Sequence, residues 1–180
     1  MSRVVRTLIA VALCVALIAP ATGAQAGGWR VEKQTVTQHN VVTDEDACGE
    51  YGVEWDINLT VDIFTFFDSQ DRRVKQVGHV TEDNTVKNTV TGLTLPDSPV
   101  NFIQTNFFDR ETGALEKIFI VGTSVNVRRG NERLVDRGPI LIDGQTREIL
   151  WSAGPHPVRE EMNGSADIRL ALPAFCDILE

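Results

Sequence analysis

The stretch YGVEWDINLTVDI at residues 51–63 decides the fold class of this 180-residue chain. Seven apolar residues alternate in it with six small or polar ones, which is typical of a β-strand with one buried and one solvated face. A helix over the same residues would place charges on every side, and the β-branched and aromatic content also favours a strand. The pattern therefore predicts a long strand whose solvated face carries Glu54, Asp56 and Asp62.

A second alternating stretch, at residues 115–127, predicts another strand. We expect one of its faces to be formed by Leu115, Phe119, Val121, Val125 and Val127. Ile118 and Ile120 make the middle of the stretch apolar on the other side as well. A strand that is apolar on both faces is expected in the centre of a sheet, covered by a neighbouring element.

Shorter candidate strands lie at residues 29–38, 74–81, 85–93, 100–108, 134–142 and 146–151. They are separated by turn signals, which include Pro96-Asp97, Arg129-Gly130-Asn131 and Asp143-Gly144. The one helical candidate is the segment 173–179. Eight or so strands with short connections predict an all-β fold, namely a single antiparallel up-and-down barrel of about eight strands with a short C-terminal helical turn. A β-sandwich is the alternative, and the barrel is preferred because closure removes exposed strand edges.

The first 26 residues have the pattern of a secretory signal peptide. Arg3 and Arg6 precede an apolar run at residues 8–19, and Ala24-Gln25-Ala26 supplies the small residues that a signal peptidase recognises. An apolar run of this length is too short to span a bilayer, which needs about 20 residues. We therefore predict cleavage after Ala26, a single β-barrel domain at residues 27–180, an extracellular location, and no membrane attachment after cleavage.

The composition supports a folded, acidic protein. Hydrophobic residues make up 42% of the chain, and 17 basic against 25 acidic residues give a net charge of −8. The predicted cleavage removes Arg3 and Arg6 and moves the net charge to −10. An acidic surface disfavours nucleic-acid binding, because contacts to phosphates need clustered lysine and arginine.

Two cysteines remain after the predicted cleavage, which removes Cys14. Two thiols in an oxidising compartment usually pair, so we predict a disulfide between Cys48 and Cys176. It would close a loop of 176 − 48 = 128 residues. In the chain-entropy account, a loop of that length stabilises the fold by roughly 4–5 kcal/mol.

Signals for catalysis or metal binding are weak. His39, His79 and His156 lie far apart and have no ligand spacing, and the chain has neither a nucleophile elbow nor a glycine-rich phosphate loop. Acidic residues at positions 44–50 do not fit the EF-hand spacing, and calcium binding by them is left open. The sequence identifies no catalytic residue, predicts no metal and no cofactor, and favours a protein that is not an enzyme.

The aromatic residues Tyr51, Trp55 and Phe119 are predicted to line the barrel interior and to contact a small apolar ligand. A barrel of about eight strands either encloses such a ligand or is filled by side chains. If it is filled, we expect an extracellular protein-interaction module that acts through its acidic surface or loops. A third hypothesis is a barrel isomerase or cyclase with a buried carboxylate, which needs an acid on the apolar face.

Several short motifs also resemble a group of small secreted bacterial proteins, common in actinomycetes. The motifs are Ala47-Cys48-Gly49, Phe66-Phe67-Asp68, Phe108-Asp109-x-x-Thr112-Gly113, Ala153-Gly154-Pro155-His156 and Phe175-Cys176. The resemblance implies a β-barrel similar to those of allene oxide cyclases and lipocalins. It carries over no catalytic residue, and likeness of shape does not transfer activity.

Overall fold

The fold is given by a computed structural model that describes residues 28–162 and 167–180. The predicted signal peptide at residues 1–26 and its cleavage site after Ala26 lie outside these residues. The strands are β1 (Arg30–Asp44), β2 (Val53–Phe67), β3 (Arg73–Asn88), β4 (Thr94–Phe108), β5 (Leu115–Arg129), β6 (Glu132–Arg137), β7 (Ile140–Asp143) and β8 (Ile149–Ser152). The helices that follow are α1 (Pro157–Met162), a 3-10 helix (Ile168–Phe175) and α2 (Cys176–Leu179).

All the strands belong to one antiparallel sheet with the order β1-β2-β3-β4-β5-β7-β8, and β6 pairs with β5 next to β7. The all-β class, the eight antiparallel strands and the short C-terminal helix predicted from the sequence are confirmed. No backbone pairing joins β1 to β8 within the described part of the chain, so the sheet is not closed. Barrel closure therefore stays a prediction, with the sandwich as its alternative.

The alternation of residues 51–63 is confirmed in β2. The buried face of this strand, here called the inner face, carries Val53, Trp55, Ile57, Val61 and Ile63. The opposite, outer face carries the three predicted acids, each beside a basic group of a neighbouring strand. Lys87 Nζ lies 3.2 Å from Glu54 Oε1, His39 Nε2 lies 2.9 Å from Asp56 Oδ1, and Lys33 Nζ lies 3.5 Å from Asp62 Oδ2.

The face predicted for residues 115–127 is wrong for half of β5. Ile118 and Ile120 are buried on the inner face, so Phe119 and Val121 point to the outer face. Beyond them, the register shifts between Thr123 and Val125, and the buried positions become Val125 and Val127. The shift changes which face each later residue occupies, and simple alternation through the whole stretch misses it.

Two of the predicted boundaries between strands are also wrong. The candidate at residues 74–81 and the first part of the candidate at 85–93 form the single strand β3, which has a register shift between Glu82 and Asn84 and ends at Asn88, so residues 89–93 are not part of a strand. Pro96-Asp97 lies inside β4 rather than in a turn. The chain turns earlier, where Asn88 Oδ1 accepts the backbone N–H groups of Val90 and Thr91.

The candidate strand at residues 134–142 is divided into β6 and β7 at Gly138. The φ angle of this glycine is +116°, and a Cβ atom on it would lie 2.1 Å from the carbonyl oxygen of Ala153. Only glycine fits such a backbone conformation and such close packing. Consequently β6 pairs with one half of β5 and β7 with the other.

The C-terminal helices cover one end of the inner face. Leu172, Phe175 and Leu179 are fully buried there against residues of β2, β3, β4 and β5. The predicted disulfide between Cys48 and Cys176 is confirmed and fixes these helices to the segment after β1, with Cα atoms 5.5 Å apart. The helix α1 was not predicted from the sequence. Across residues 28–162 and 167–180, none of the helices has the length and apolar character needed to cross a membrane.

Candidate functional site

A cavity of about 120 Å³ lies between the inner face of the sheet and the helices that cover it. The sheet contributes residues of five strands, and the other wall comes from α1 and the 3-10 helix. Most of the lining side chains are apolar. The lining consists of Asn40, Val42, Trp55, Ile57, Leu59, Glu82, Phe102, Ser124, Val125, Val158, Arg159, Met162 and Ile168.

The β2 wall follows directly from the alternation that predicts this strand. Trp55, Ile57 and Leu59 are spaced two residues apart, so all three side chains face the cavity. The ring of Trp55 also packs against Phe175, with ring centroids 5.1 Å apart and an interplanar angle of 59°. The aromatic contact ties this wall of the cavity to the C-terminal helices.

The helix α1 is held against the sheet by the buried carboxylate of Asp136, which is 1% exposed. Its Oδ1 accepts the hydroxyl of Ser124 at 2.7 Å and lies 3.1 Å from Nδ1 of His156. Its Oδ2 accepts the backbone N–H of Arg159 at 2.9 Å, within the first turn of α1. Val158 is thereby placed on the cavity wall.

The imidazole of His156 lies between two oxygen acceptors. Besides Asp136, it approaches the carbonyl oxygen of Ala153, which lies 3.3 Å from Nε2. Each ring nitrogen is within hydrogen-bond distance of one oxygen, and the tautomer of the ring determines which nitrogen donates. This histidine is 3% exposed and does not line the cavity. Through Asp136, which also accepts the backbone N–H of Arg159, this histidine helps to hold α1 in place.

One end of the cavity is acidic. Glu82 lines it, and the Nδ2 amide of Asn84 donates to Glu82 Oε2 at 2.7 Å. Burial raises the pKa of Glu82, the bond from Asn84 opposes that effect, and the charge of Asp97 raises the pKa further. Arg159, also on the lining, lowers it. Desolvation by burial is the largest of these effects, so the pKa of Glu82 lies above its ordinary value.

Asp97 is fully buried near Glu82 and does not line the cavity. Burial raises the pKa of Asp97 to about 6, although the backbone N–H of Asn126 donates to its Oδ1 at 2.6 Å. Asn84 and Trp55 also favour the charged form and lower the pKa. A carboxyl group with such a pKa changes its charge close to neutral pH.

Two polar atoms near the cavity have no satisfactory partner. The indole N–H of Trp55 lies near Asp97 and favours its carboxylate form, but no hydrogen bond of good geometry joins the two groups. Among the described residues, neither Trp55 Nε1 nor Asp97 Oδ2 finds another partner. A buried donor or acceptor without a partner lowers the stability of the folded state by about 1–3 kcal/mol. The imperfect contact between Trp55 and Asp97 is therefore a cost to folding at this position.

The structure does not bring the predicted ligand contacts Tyr51, Trp55 and Phe119 together. Trp55 lines the cavity. The hydroxyl of Tyr51 donates to the carbonyl oxygen of Cys176, and this residue packs against the core next to the disulfide. Phe119 lies on the outer face of β5, where its cross-strand neighbours are Thr105 and Leu141.

Sequence reasoning missed the polar residues of the site. Asn84 and Asp97 belong to the segments EDN and LPDSP, whose composition indicates turns, whereas both lie inside strands. Asp136 and His156 are 20 residues apart and meet only through the packing of the segment before α1. An inward polar residue within a strand is the available signal: Glu82 shares the phase of Val80 in β3.

Comparison with known proteins gives no match: no family model fits the sequence, and no curated protein or solved structure is similar enough to be matched with it.

Proposed function

We propose that this protein binds a small, largely apolar molecule in the cavity between the inner face of the sheet and the C-terminal helices. The observation that carries the proposal is the cavity itself, which has an apolar lining and one acidic end. The cavity opens partly to solvent, so a small molecule can enter it and contact the apolar side chains of both walls.

The volume of the cavity restricts the size of the ligand. An engineered apolar cavity of about 150 Å³ holds one benzene molecule, whereas pockets for drug-sized ligands range over about 300–1,000 Å³. At about 120 Å³, this cavity matches a molecule of one small ring or a short branched chain. Glu82 and Arg159 favour a ligand with a polar group at one end.

Mass spectrometry tests the proposal on protein collected from the medium of a secreting host. We expect a native mass that exceeds the denatured mass by one small molecule, and a denatured mass equal to residues 27–180 less two hydrogens. If the native protein is bare and also takes up no benzene or toluene in an NMR titration, the cavity is not a binding site.

A matched pair of variants on β5 locates the binding. Val125→Phe adds a ring to the inner face at the cavity, and Val121→Phe makes the same change on the outer face. We expect the first variant to lose toluene binding by tenfold or more and the second to bind normally. Equal binding by both variants would place the ligand elsewhere.

A second candidate function is a proton-transfer reaction, such as the isomerisation or cyclisation of the bound molecule. This hypothesis requires an acidic residue on the apolar face. Glu82 meets the requirement, because it lines the cavity and burial raises its pKa. General acid–base catalysis works best when the pKa of the group lies near the working pH.

The exchange of α-protons in cyclopentanone, followed by NMR in D₂O, tests this second function. The catalyst must remove a proton from carbon and return a deuteron, so binding alone gives no signal. We expect Glu82→Gln to abolish the exchange and to retain ligand binding. Exchange at the rate of the buffer in the unaltered protein contradicts catalysis and leaves the binding proposal intact.

The proposal includes export, with removal of residues 1–26. The disulfide between Cys48 and Cys176 supports it, because such bonds persist in oxidising compartments. An acidic net charge also supports an extracellular role without nucleic acid or membrane as a partner.

If the cavity takes up no ligand, the alternative is an extracellular protein partner. The half-exposed aliphatic and aromatic residues of the outer face, such as Ile103, Phe107 and Trp151, support that alternative.

A further inference from the structure

We propose that the molecule bound in the cavity is a small apolar amine, whose ammonium group donates a hydrogen bond to the carboxylate of Glu82. This inference rests on the proposed function and narrows the ligand to a hydrocarbon ring or short branched chain that carries one positive charge. The cavity offers an apolar wall for the hydrocarbon part and a carboxylate at one end for the charge.

The inference begins with the open oxygen of Glu82. Its Oε2 accepts the side-chain amide of Asn84, whereas its Oε1 accepts no hydrogen bond from any residue in 28–162 and 167–180. Unlike Trp55 Nε1 and Asp97 Oδ2, this oxygen is not closed off from a molecule the size of water. Because Glu82 lines the cavity, its Oε1 remains available to a bound molecule.

The carboxylate of Glu82 also lacks a paired positive charge. Arg159 is the one basic residue that the described part of the chain contributes to the lining, and no ion pair joins it to Glu82. Burial and the nearby charge of Asp97 raise the pKa of Glu82, and Arg159 and Asn84 offset this rise only in part. An ammonium group beside Glu82 supplies the missing opposite charge and favours the ionised carboxylate.

Ser124 presents a second hydrogen-bond acceptor on the lining. Its hydroxyl donates to Asp136 Oδ1 at 2.7 Å, so its oxygen is left to accept. The other oxygen of Asp136 accepts the backbone N–H of Arg159, which holds the carboxylate in this orientation. An ammonium group has three donors and no acceptor, and it therefore matches Glu82 and Ser124. A ligand carboxylate would meet Glu82 with a like charge.

The hydrocarbon part of the same molecule has a matching wall. Trp55, Ile57 and Val125 line the cavity and are all buried. A ring placed against these side chains removes apolar surface from water. A cavity of about 120 Å³ limits that part to one small ring, since benzene occupies an engineered cavity of about 150 Å³.

Cyclopentylamine, cyclopentanol and methylcyclopentane are suitable probes, because they share one ring and the same number of non-hydrogen atoms. We would measure their dissociation constants by NMR titration of the oxidised protein at pH 7.5, where an alkyl amine is protonated. Glu82→Gln removes the negative charge with little change of shape, and Arg159→Gln removes the neighbouring positive charge. Glu116→Gln and Arg128→Gln are the matched controls, since both residues are exposed and lie outside the lining.

We expect the amine to bind about tenfold or more tightly than the alcohol, because hydrogen bonds between charged groups are the stronger ones. Glu82→Gln should remove this preference, and Arg159→Gln should increase it by about threefold, the size typical of a partly exposed charge. The controls should leave it unchanged, and methylcyclopentane should bind alike to every variant. Arg159→Gln decides the question should Glu82→Gln fail to fold.

Each outcome separates the two levels of the proposal. If the amine binds no more tightly than the alcohol, or if its preference is the same in every variant, the ammonium site is wrong and the apolar binding site stands. If none of the three probes binds, the proposed function fails and this inference fails with it.

Discussion

The two ends of the inner face are built differently. At one end, here called the covered end, Val53, Trp55 and Val127 pack against the C-terminal helices. At the opposite end, here called the open end, the buried residues form two smaller clusters, one around Ile63 and one around Ile120, and neither contains a residue of the described helices.

Polar groups also distinguish the open end. Four half-buried side chains of its inner face form a chain of hydrogen bonds. Gln76 donates to Thr65 at 3.2 Å, Asn106 donates to Gln76 at 3.3 Å, and Gln104 donates to Asn106 at 3.0 Å. These side chains satisfy one another at the end of the sheet that none of the helices in residues 28–162 and 167–180 covers. The comparison shows that alternation predicts which face of a strand is buried, but not whether helices or polar side chains cover that face.

The largest expected effect comes from removing the bond that fixes the covering helices. Cys48→Ser combined with Cys176→Ser should lower the free energy of unfolding by about 4–5 kcal/mol, since the bond closes a 128-residue loop. Denaturant unfolding monitored by circular dichroism measures the change. A reducing agent should produce the same loss in the unaltered protein and none in the double variant. Equal midpoints for the oxidised protein and the variant would contradict a stabilising role.

The next largest effect on the free energy of unfolding should come from truncating apolar side chains at the two ends. Leu172→Ala, at a fully buried position of the covered end, should cost about 2–5 kcal/mol of unfolding free energy. Leu115→Ala, at a partly buried position of the open end, should cost about 1 kcal/mol, because part of its surface is already in water. The same denaturation measurement checks both variants. Similar losses would show that the two ends are packed equally well.

At the covered end, the ionisation of Asp97 should make the free energy of unfolding depend on pH. Burial raises its pKa to about 6, so between pH 4 and pH 6 the folded state binds more protons than the unfolded state. The free energy of unfolding should therefore fall as the pH rises through this interval, on the order of 3 kcal/mol in total. In Asp97→Asn this decline should shrink to the part that comes from Glu82, whose pKa burial also raises. An identical pH profile for the variant and the unaltered protein would exclude Asp97 as the group responsible.

Asp68 at the open end should give the opposite and smaller dependence. Hydrogen bonds from Arg72 hold its pKa down to about 2, and its Oδ1 also accepts the backbone N–H of Gln70. Its stabilisation is present at neutral pH and is lost as the pH falls from about 4 towards 2. Asp68→Asn should remove this acid-side loss while leaving the interval between pH 4 and pH 6 unchanged. A changed slope in that upper interval would show that the two aspartates are coupled.

The sequence predicts the fold well where a short-range pattern determines it. The alternation of residues 51–63 identifies the buried face of β2. The disulfide between Cys48 and Cys176 is also predictable despite their distance in sequence, because they are the two cysteines left after the predicted cleavage. Alternation fails at β5, where the register shift near Thr123 changes the phase of the strand.

The candidate site was less predictable. Trp55 was identified because it belongs to the apolar pattern of β2. Glu82 and Asp97 were not identified, because burial raises their pKa values only through residues of other strands and of α1. A buried carboxyl group is identical in sequence to an exposed one. Its chemistry arises only after long-range packing has removed its water.

The disulfide gives the molecule a covalent topology that the sheet alone does not have. The residues from Cys48 to Cys176 form a ring, and this ring contains every strand from β2 to β8. A protease that cuts any one hairpin within it opens the ring but releases no fragment. The nicked protein keeps its full mass on a non-reducing gel, and the strands on both sides of the cut stay tethered to the same helices.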